Sequence, residues 1–511
     1  MPVNTVTTSR SYAIARLSNL HNTLTQKTEQ LSSGKVSTTY GGIGDNRLLD
    51  LELTQKVNRI DSYKETITRA NLQLNTMNLT LDRLESLRID AKSAFDANNF
   101  ELQTDGQTQT QASANVLLHE ATNLLNTEVA GHYIFGGADA DTNPVQNVDK
   151  ILNGDGNLAG LRTYMDEYSQ ANLGVNNNGR MTVSGLTTNF AGAVPTDSTF
   201  TVAEDGAHDF GFDIASVTNN LTNATLTGPG GGDPDSFDVK LTGQPNIGDT
   251  FSVVLTLPPA HTENLTLNFK AAADTSQKGN FLIGSDLAQT TQNLHDAISS
   301  ALQDEAKSTL RATSDKWAAD EYFNTYNGAV PQRVAGPPFN TATTLVSGAG
   351  TTLPWYTGDN APTTDPRTDK TAVIDSNLSV NYGARANEDG LASVVKSLAT
   401  FVASNFSGGT PSDEEYYNKA AQKMRDVIEP SGSTLSGVSS IATQIAIAHR
   451  TVEQTDDRHT QMKASYETAI GDIEGVDNNL VATEILNLQT NIQASYRASS
   501  IVLQLSLTNY I

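Results

Sequence analysis

The most suggestive chemical motif in the chain is Gly34-Lys35 within "SSGKVST", a glycine and lysine of the kind that cradle phosphate. A phosphate loop needs G-x-x-x-x-G-K-[ST] after a strand, because its backbone amides and lysine must converge on one anion. Here residue 29 is Glu29, Val36 follows Lys35, and leucine-rich helical sequence precedes the motif, so a loop reading is preferred. The eight histidines are scattered with no H-E-x-x-H pair, and no cysteine completes a metal set. His119 and His132 read as solvent-facing or packing residues. The run "GPGGGDPD" (228–235) combines glycines with acids that a calcium ion would accept, but turn chemistry accounts for it first. Glu414-Glu415 fits the start of a helix, where carboxylates meet the positive end of the dipole. No nucleophile elbow is present, so no catalytic, cofactor-binding or metal-binding residue is assigned and the chain is not read as an enzyme.

The elements that would carry any site fall into three regions. Leu17, Leu20, Leu24 and Leu31 mark a first helix, which "SSGKVSTTYGGIGD" (32–45) interrupts with glycine, serine and threonine. A long helix follows, with apolar residues at Ile60, Tyr63, Ile67, Ala70, Leu74, Met77, Leu81 and Leu84, then Ala91 and Phe95; Arg88 is the one break. Alternating spacings of three and four over about five heptads predict a left-handed coiled-coil seam. As one helix, residues 53–97 would measure on the order of 70 Å. A further helix is predicted from about Gln107 to Val129, ending at "GHYIFGG" (131–137). Near the other end, Val438, Ile441, Ile445, Ala448, Val452, Met462, Tyr466, Ala469 and Ile473 keep the same rhythm, weakened by Thr455 and His459. After "GVDNN" (475–479), a last helix carries Val481, Ile485, Leu488, Ile492, Tyr496 and Leu503.

The middle is rich in glycine, threonine, asparagine and proline. Period-two alternation predicts strands at "FDVKL" (237–241), "FSVVLTL" (251–257) and "LTLNF" (265–269), the last two joined by "PPAHTEN" as a hairpin loop. A helical stretch is predicted near 285–325, and the Pro- and Gly-rich run 331–365 reads as ordered loop or irregular structure. The predicted fold class is therefore α+β and multidomain: a long antiparallel α-helical coiled-coil bundle formed by both termini, with a β-rich inserted middle. The predicted divisions are 1–140, 141–385 (divisible into two subdomains) and 386–511. The coil seams are the predicted assembly interface: Leu17, Leu20, Leu24, Leu31, Ile67, Leu74, Met77, Leu81, Ile485, Leu488, Ile492, Leu503, Leu505 and Leu507.

Across 511 residues, 33 Lys and Arg stand against 57 Asp and Glu, a net charge of −24. That length suits roughly three or four domains. The charge disfavours nucleic acid and anionic lipid as partners, since both need clustered basic residues. The absence of cysteine removes disulfide and thiol chemistry. No signal peptide and no membrane-spanning run are legible, so membrane insertion is not expected.

The helical ends resemble the bacterial flagellins and their relatives. The resemblance rests on leucine heptads leading into "LSSGKVSTTYGGIGDN" (31–46), on "GHYIFGG" (131–137), and on "NIQASYRASSIVLQLSLTNYI" (491–511). It covers roughly 1–140 and 390–511, about half the chain, with several elements in the family's order at both ends. "YIFGG" and the final "LSLTNYI" are similar to the branch that forms the hook–filament junction, the third hook-associated protein. The pieces "PQRVAGPPF" (331–339), "WYTGD" (355–359) and "YGARANE" (382–388) look like a middle module of some alphaproteobacterial flagellin-like proteins, and the size suits a filament subunit as well. The resemblance implies a structural subunit of the flagellum, exported through the flagellar type III channel without a cleaved signal peptide and located outside the cell. Its implied partners are other copies of itself, hook-side and filament-side axial proteins, and an export chaperone binding near the C-terminus. Filament flagellin is the alternative. A secreted adhesin or surface-layer protein is the reading from a different class, motivated by the Thr/Asn/Gly-rich strands.

Overall fold

The computed structural model describes residues 3–96, 99–429 and 437–508, with side chains described from Ser11 to Ile501 inside those ranges. In chain order, α1 (Val3–Ser33) and α2 (Arg47–Ala94) are followed by α3 (Gln109–Leu125), β1 (Glu128–Val129) and β2 (His132–Tyr133). Helices α4 (Val148–Asn153) and α5 (Leu161–Leu173) precede a run of strands: β3 (Met181–Val183), β4 (Thr187–Ala191), β5 (Val194–Glu204), β6 (Asp213–Asn219), β7 (Ala224–Thr227), β8 (Ser236–Leu241), β9 (Thr250–Leu257), β10 (Glu263–Ala272) and β11 (Asn280–Leu282). Then come α6 (Leu287–Glu305), a π turn at Ala306–Leu310, and α7 (Arg311–Tyr322). Two short hairpins follow, β12 (Gln332–Val334) with β13 (Leu345–Ser347), and β14 (Thr371–Asp375) with β15 (Leu378–Asn381). The chain finishes with α8 (Asp389–Ala403), α9 (Pro411–Ile428), α10 (Gly437–Glu474) and α11 (Asn478–Thr508).

Local chemistry sets several boundaries. α1 stops at Gly34, whose φ of +70° is a left-handed conformation that favours glycine. α3 starts with a capping box in which Thr108 and Gln111 exchange side-chain bonds with each other's backbone amides. α9 starts likewise at Thr410 and Asp413, with Pro411 in the first turn.

The chain divides into two compact units. The first comprises Met1–Asn71, Ala372–Val380 and Arg450–Ile511; the second comprises Leu72–Thr371 and Asn381–His449. In the first unit α1 packs along α11. Lys27 pairs with Glu484 at 2.6 Å, and His21 meets the Tyr496 hydroxyl at 3.1 Å. The early part of α2 faces the later part of α10 through Lys64–Asp456 (2.8 Å) and Lys463–Asp61 (2.6 Å), with Tyr63 stacked on His459 at 5.6 Å between ring centroids.

The second unit carries its apolar interior in several places. Strands β3-β5-β8-β7 form one sheet, with β4 also paired to β5, and β11-β10-β9-β6 form another. Alternation drives both: β9 buries Phe251, Val253, Leu255 and Leu257, and β8 buries Phe237, Val239 and Leu241, in one core closed by α6. β9 and β10 are antiparallel neighbours in register Leu257↔Glu263 through Phe251↔Phe269. An aromatic group joins α5 and α7, where Tyr168 meets Trp317 and Tyr164 meets Tyr322 edge-on at 5.0 and 5.3 Å. A third group joins Phe95 to Phe401, Phe406 and Tyr417.

The fold is α+β, but the predicted long coiled-coil bundle formed by both termini is not what the termini build, and the sheets are small and dispersed among helices. The physical reason lies in the seam. A coiled coil needs apolar knobs seated continuously in a partner's holes. At Thr455 and His459 the α10 seam turns polar, and the His459 Nε2–H donates to the Ile374 carbonyl of β14 at 2.8 Å, so a β-hairpin shares this stretch of the seam with α2. Arg88 interrupts the α2 seam and binds Glu85 and Glu429. α2 and α10 each contribute to both units, so neither serves a single bundle. The 331–365 run contains the short β12–β13 hairpin within otherwise irregular backbone.

Candidate functional site

The seam residues predicted to form the assembly interface fall into different environments. Ile67, Leu74, Met77 and Leu81 are buried, as is Ile492. Leu17, Leu20, Leu24, Ile485 and Leu488 are half-buried, and Leu31 is exposed. The side chains of Leu503, Leu505 and Leu507 lie outside the described residues, although the α11 backbone continues to Thr508. By unit, Leu74, Met77 and Leu81 separate from the rest, which belong with Met1–Asn71 and Arg450–Ile511.

A surface that the seam pattern does not predict lies on the same helices. On α1, Tyr12 is 76% exposed and Ile14 is 68% exposed. At the start of α2, Leu48 is 73% exposed, with Leu49 and Leu51 also bare. On α11, Leu480, Leu486, Tyr496 and Ile501 are exposed. Exposed leucines scattered singly need no explanation; these apolar side chains are gathered on three helices of one unit. The signal in the sequence is the run "RLLDLEL" (47–53), whose adjacent leucines cannot all occupy one helical face.

The motifs with chemical potential are taken up by structure. Lys35 binds Glu474 Oε2 at 2.6 Å. In "GPGGGDPD", Asp235 accepts bonds from the amides of Gly230, Gly231 and Ser236 at 2.7 to 2.9 Å. Burial would raise that carboxyl, but these amides outweigh it and hold Asp235 below its ordinary value. His119 is exposed, and the exposed His132 lies 3.1 Å from Asp141. Glu415 sits near Lys278 on the first turns of α9. Among the described residues, no group of three or more His, Asp or Glu is placed to hold a metal ion. A cavity of about 420 Å³ is lined by Asp320, Asn387, Lys396 and Val427 among others, and there Lys396 is bound to Asp320 at 2.6 Å.

Two segments that carried the resemblance meet in the second unit. Gly137 of "GHYIFGG" donates its amide to Ala384 at 3.0 Å, and Ala386 of "YGARANE" donates to Phe135 at 2.9 Å. Arg385, 1% exposed, donates from Nε to Asp369 Oδ2 at 2.6 Å, from Nη2 to Asp359 Oδ2 at 3.1 Å, and from Nη1 to the Ala361 carbonyl at 2.6 Å. Arg367 binds Glu388, whose Oε1 accepts the Arg385 amide at 2.8 Å. Gly137 has φ of +66°, and a Cβ there would press on Asp369 and Arg385 at 3.0 and 3.2 Å. The arrangement fixes backbone and offers no reacting group.

No family model matches the chain, and no curated protein matches it. No helix among the described residues is long and apolar enough to cross a membrane.

Proposed function

We propose that the chain is a structural subunit of the bacterial flagellum, placed at the junction between hook and filament and held there by contacts of its terminal helices with neighbouring copies and with hook-side and filament-side axial proteins. The observation that carries this reading is the density of exposed apolar residues on α1, the start of α2, and α11. Fully burying one leucine is worth roughly 1.5–3 kcal/mol, so Leu48, Leu49 and Leu51 together would supply several kcal/mol per contact. The segments "LSSGKVSTTYGGIGDN" (31–46) and "LSLTNYI" (505–511) favour the flagellin relatives and, within them, the junction branch. On this reading the subunit leaves the cell through the flagellar type III channel, attended by a chaperone near its C-terminus, and its role is mechanical.

Filament flagellin is the second reading, favoured by the large middle region. Deleting the gene and viewing cells by electron microscopy separates the two. Hooks that persist while monomeric flagellin appears in the medium are expected for a junction subunit. A missing or thinned filament, with this subunit abundant along its length, would replace that reading with the second. Normal filaments and swimming would remove both.

A further inference from the structure

The turn after α1 and the turn between α10 and α11 hold each other. Lys35 Nζ donates to Glu474 Oε2 at 2.6 Å, Val36 donates its amide to the Glu474 carbonyl at 2.6 Å, and Val476 donates to the Gly34 carbonyl at 3.1 Å. Gln30 adds a bond from Nε2 to the Val36 carbonyl at 2.7 Å. These bonds make a clasp between segments more than 400 residues apart in sequence (474 minus 35 is 439).

Asp50, in the first turn of α2, sits within electrostatic reach of both Lys35 and Glu474. It is 0% exposed, and neither of its carboxylate oxygens has a hydrogen-bond partner among the described residues. A buried carboxylate is normally paired or bonded, because leaving water uncompensated is costly. Its neighbour Lys35 is already committed to Glu474. A side chain kept where it opposes the local structure points to a function for the opposition.

We propose that Asp50 is the release element of the clasp: its ionised carboxylate weakens the closed turn–turn contact, so that the terminal helices can rearrange when a neighbouring copy engages them. The link to assembly rests on the structural role proposed above; the weakened clasp does not. The charged groups that act on Asp50 are Glu474 at the end of α10 and Lys35 in the turn, with Tyr40 acting on Lys35. Burial first, then Glu474, raises the Asp50 carboxyl above its ordinary value, and Lys35 pulls it back. Because the folded value is raised, the opposition from Asp50 is absent while its carboxyl is protonated and grows as pH rises through the raised value.

Amide hydrogen exchange on the full chain tests this. After correction for intrinsic rates, amides of Val36 and Val476 should exchange faster as pH rises from roughly 4 to 8 in the wild type, while amides of α6 should not. Asp50→Asn should slow exchange at Val36 and Val476 at neutral pH and flatten the pH dependence. Exchange in the wild type that is flat with pH, or Asp50→Asn exchange that is unchanged or faster in a chain with wild-type circular dichroism, would overturn the proposal. Sedimentation of assembled chains is read separately: failure of the wild type to assemble counts against the structural role, and the exchange result still decides the clasp.

Discussion

Asp315 on α7 is fully enclosed, accepting a hydrogen bond from the Tyr416 hydroxyl, with Arg311 lying over the Tyr416 ring. Burial pushes its carboxyl up to about 6, against the opposing effects of Arg311, Tyr416 and Ser404. The folded value exceeds the unfolded one, so the stabilisation is complete below the ordinary carboxylate value and is lost as pH rises through about 6. A shift of that size corresponds to about 3 kcal/mol. Urea midpoints should therefore fall between pH 4.5 and 7.5 in the wild type, and Asp315→Asn should remove most of that fall; an undiminished fall would refute the assignment. Arg385 behaves differently. Its guanidinium is buried against Asp369 and Asp359, so Arg385→Met leaves carboxylates unpaired and should cost about 3–5 kcal/mol, read from denaturant unfolding. Arg385→Lys keeps the charge but not the fork, and should recover only part of the loss. Neither residue was legible as a node. Asp315 stands in the unremarkable helical run "ATSDKWAAD" (312–320), and its partner Tyr416 lies 101 positions away. "YGARANE" was visible as a motif, but nothing in it named Asp359 or Asp369.

At the scale of elements, period carried much of the information. The alternation in "FSVVLTL" and "FDVKL" translates directly into the buried faces of β9 and β8. Seam residues Ile60, Ile67, Leu74, Leu81, Ile445 and Val452 are buried at their helical spacing. Period cannot name the partner, however, and here it led to the wrong one. An apolar stripe fits a strand or a second unit as readily as another helix, and the three–four rhythm is silent on which arrives. His459 shows what decides. Its ring is stacked on Tyr63 and anchored to the hairpin tip, which Arg458 also binds through Asp375 at 2.5 Å. His459→Leu should remove the bond to the Ile374 carbonyl while retaining apolar contact. The expected result is faster amide exchange within Ala372–Val380, with a loss of about 0.5–1.5 kcal/mol in local stability. Unchanged protection there would show that the hairpin is held by other contacts.

For the whole molecule, composition and helix periodicity indicated helical ends around a mixed middle, and the division into two units was not legible. The boundary passes through the uninterrupted helices α2 and α10, where no glycine, proline or change in composition marks Asn71 or His449. The exposed apolar surface was only half legible, because seam leucines and surface leucines look alike until neighbours are known. A chain ending at Ser495 tests its role. It should remain folded in residues 72–371, with unchanged near-ultraviolet dichroism, and should lose sedimentable assemblies. Assembly at the wild-type level would mean that the last turns of α11 contribute nothing to contacts between copies.

The pairing of Gly137 with Ala384 has a consequence for synthesis. The second unit cannot close on the ribosome until residue 384 has emerged, 247 positions after Gly137 (384 minus 137). At about 5–20 residues per second, roughly 10–50 s pass with the earlier partner made and the later one missing. During that interval α3 and the end of α2 lack α8 and α9, so Phe95, Leu118 and Leu125 have no lasting cover. Those apolar side chains therefore wait for their cover well before the terminal helix has been translated.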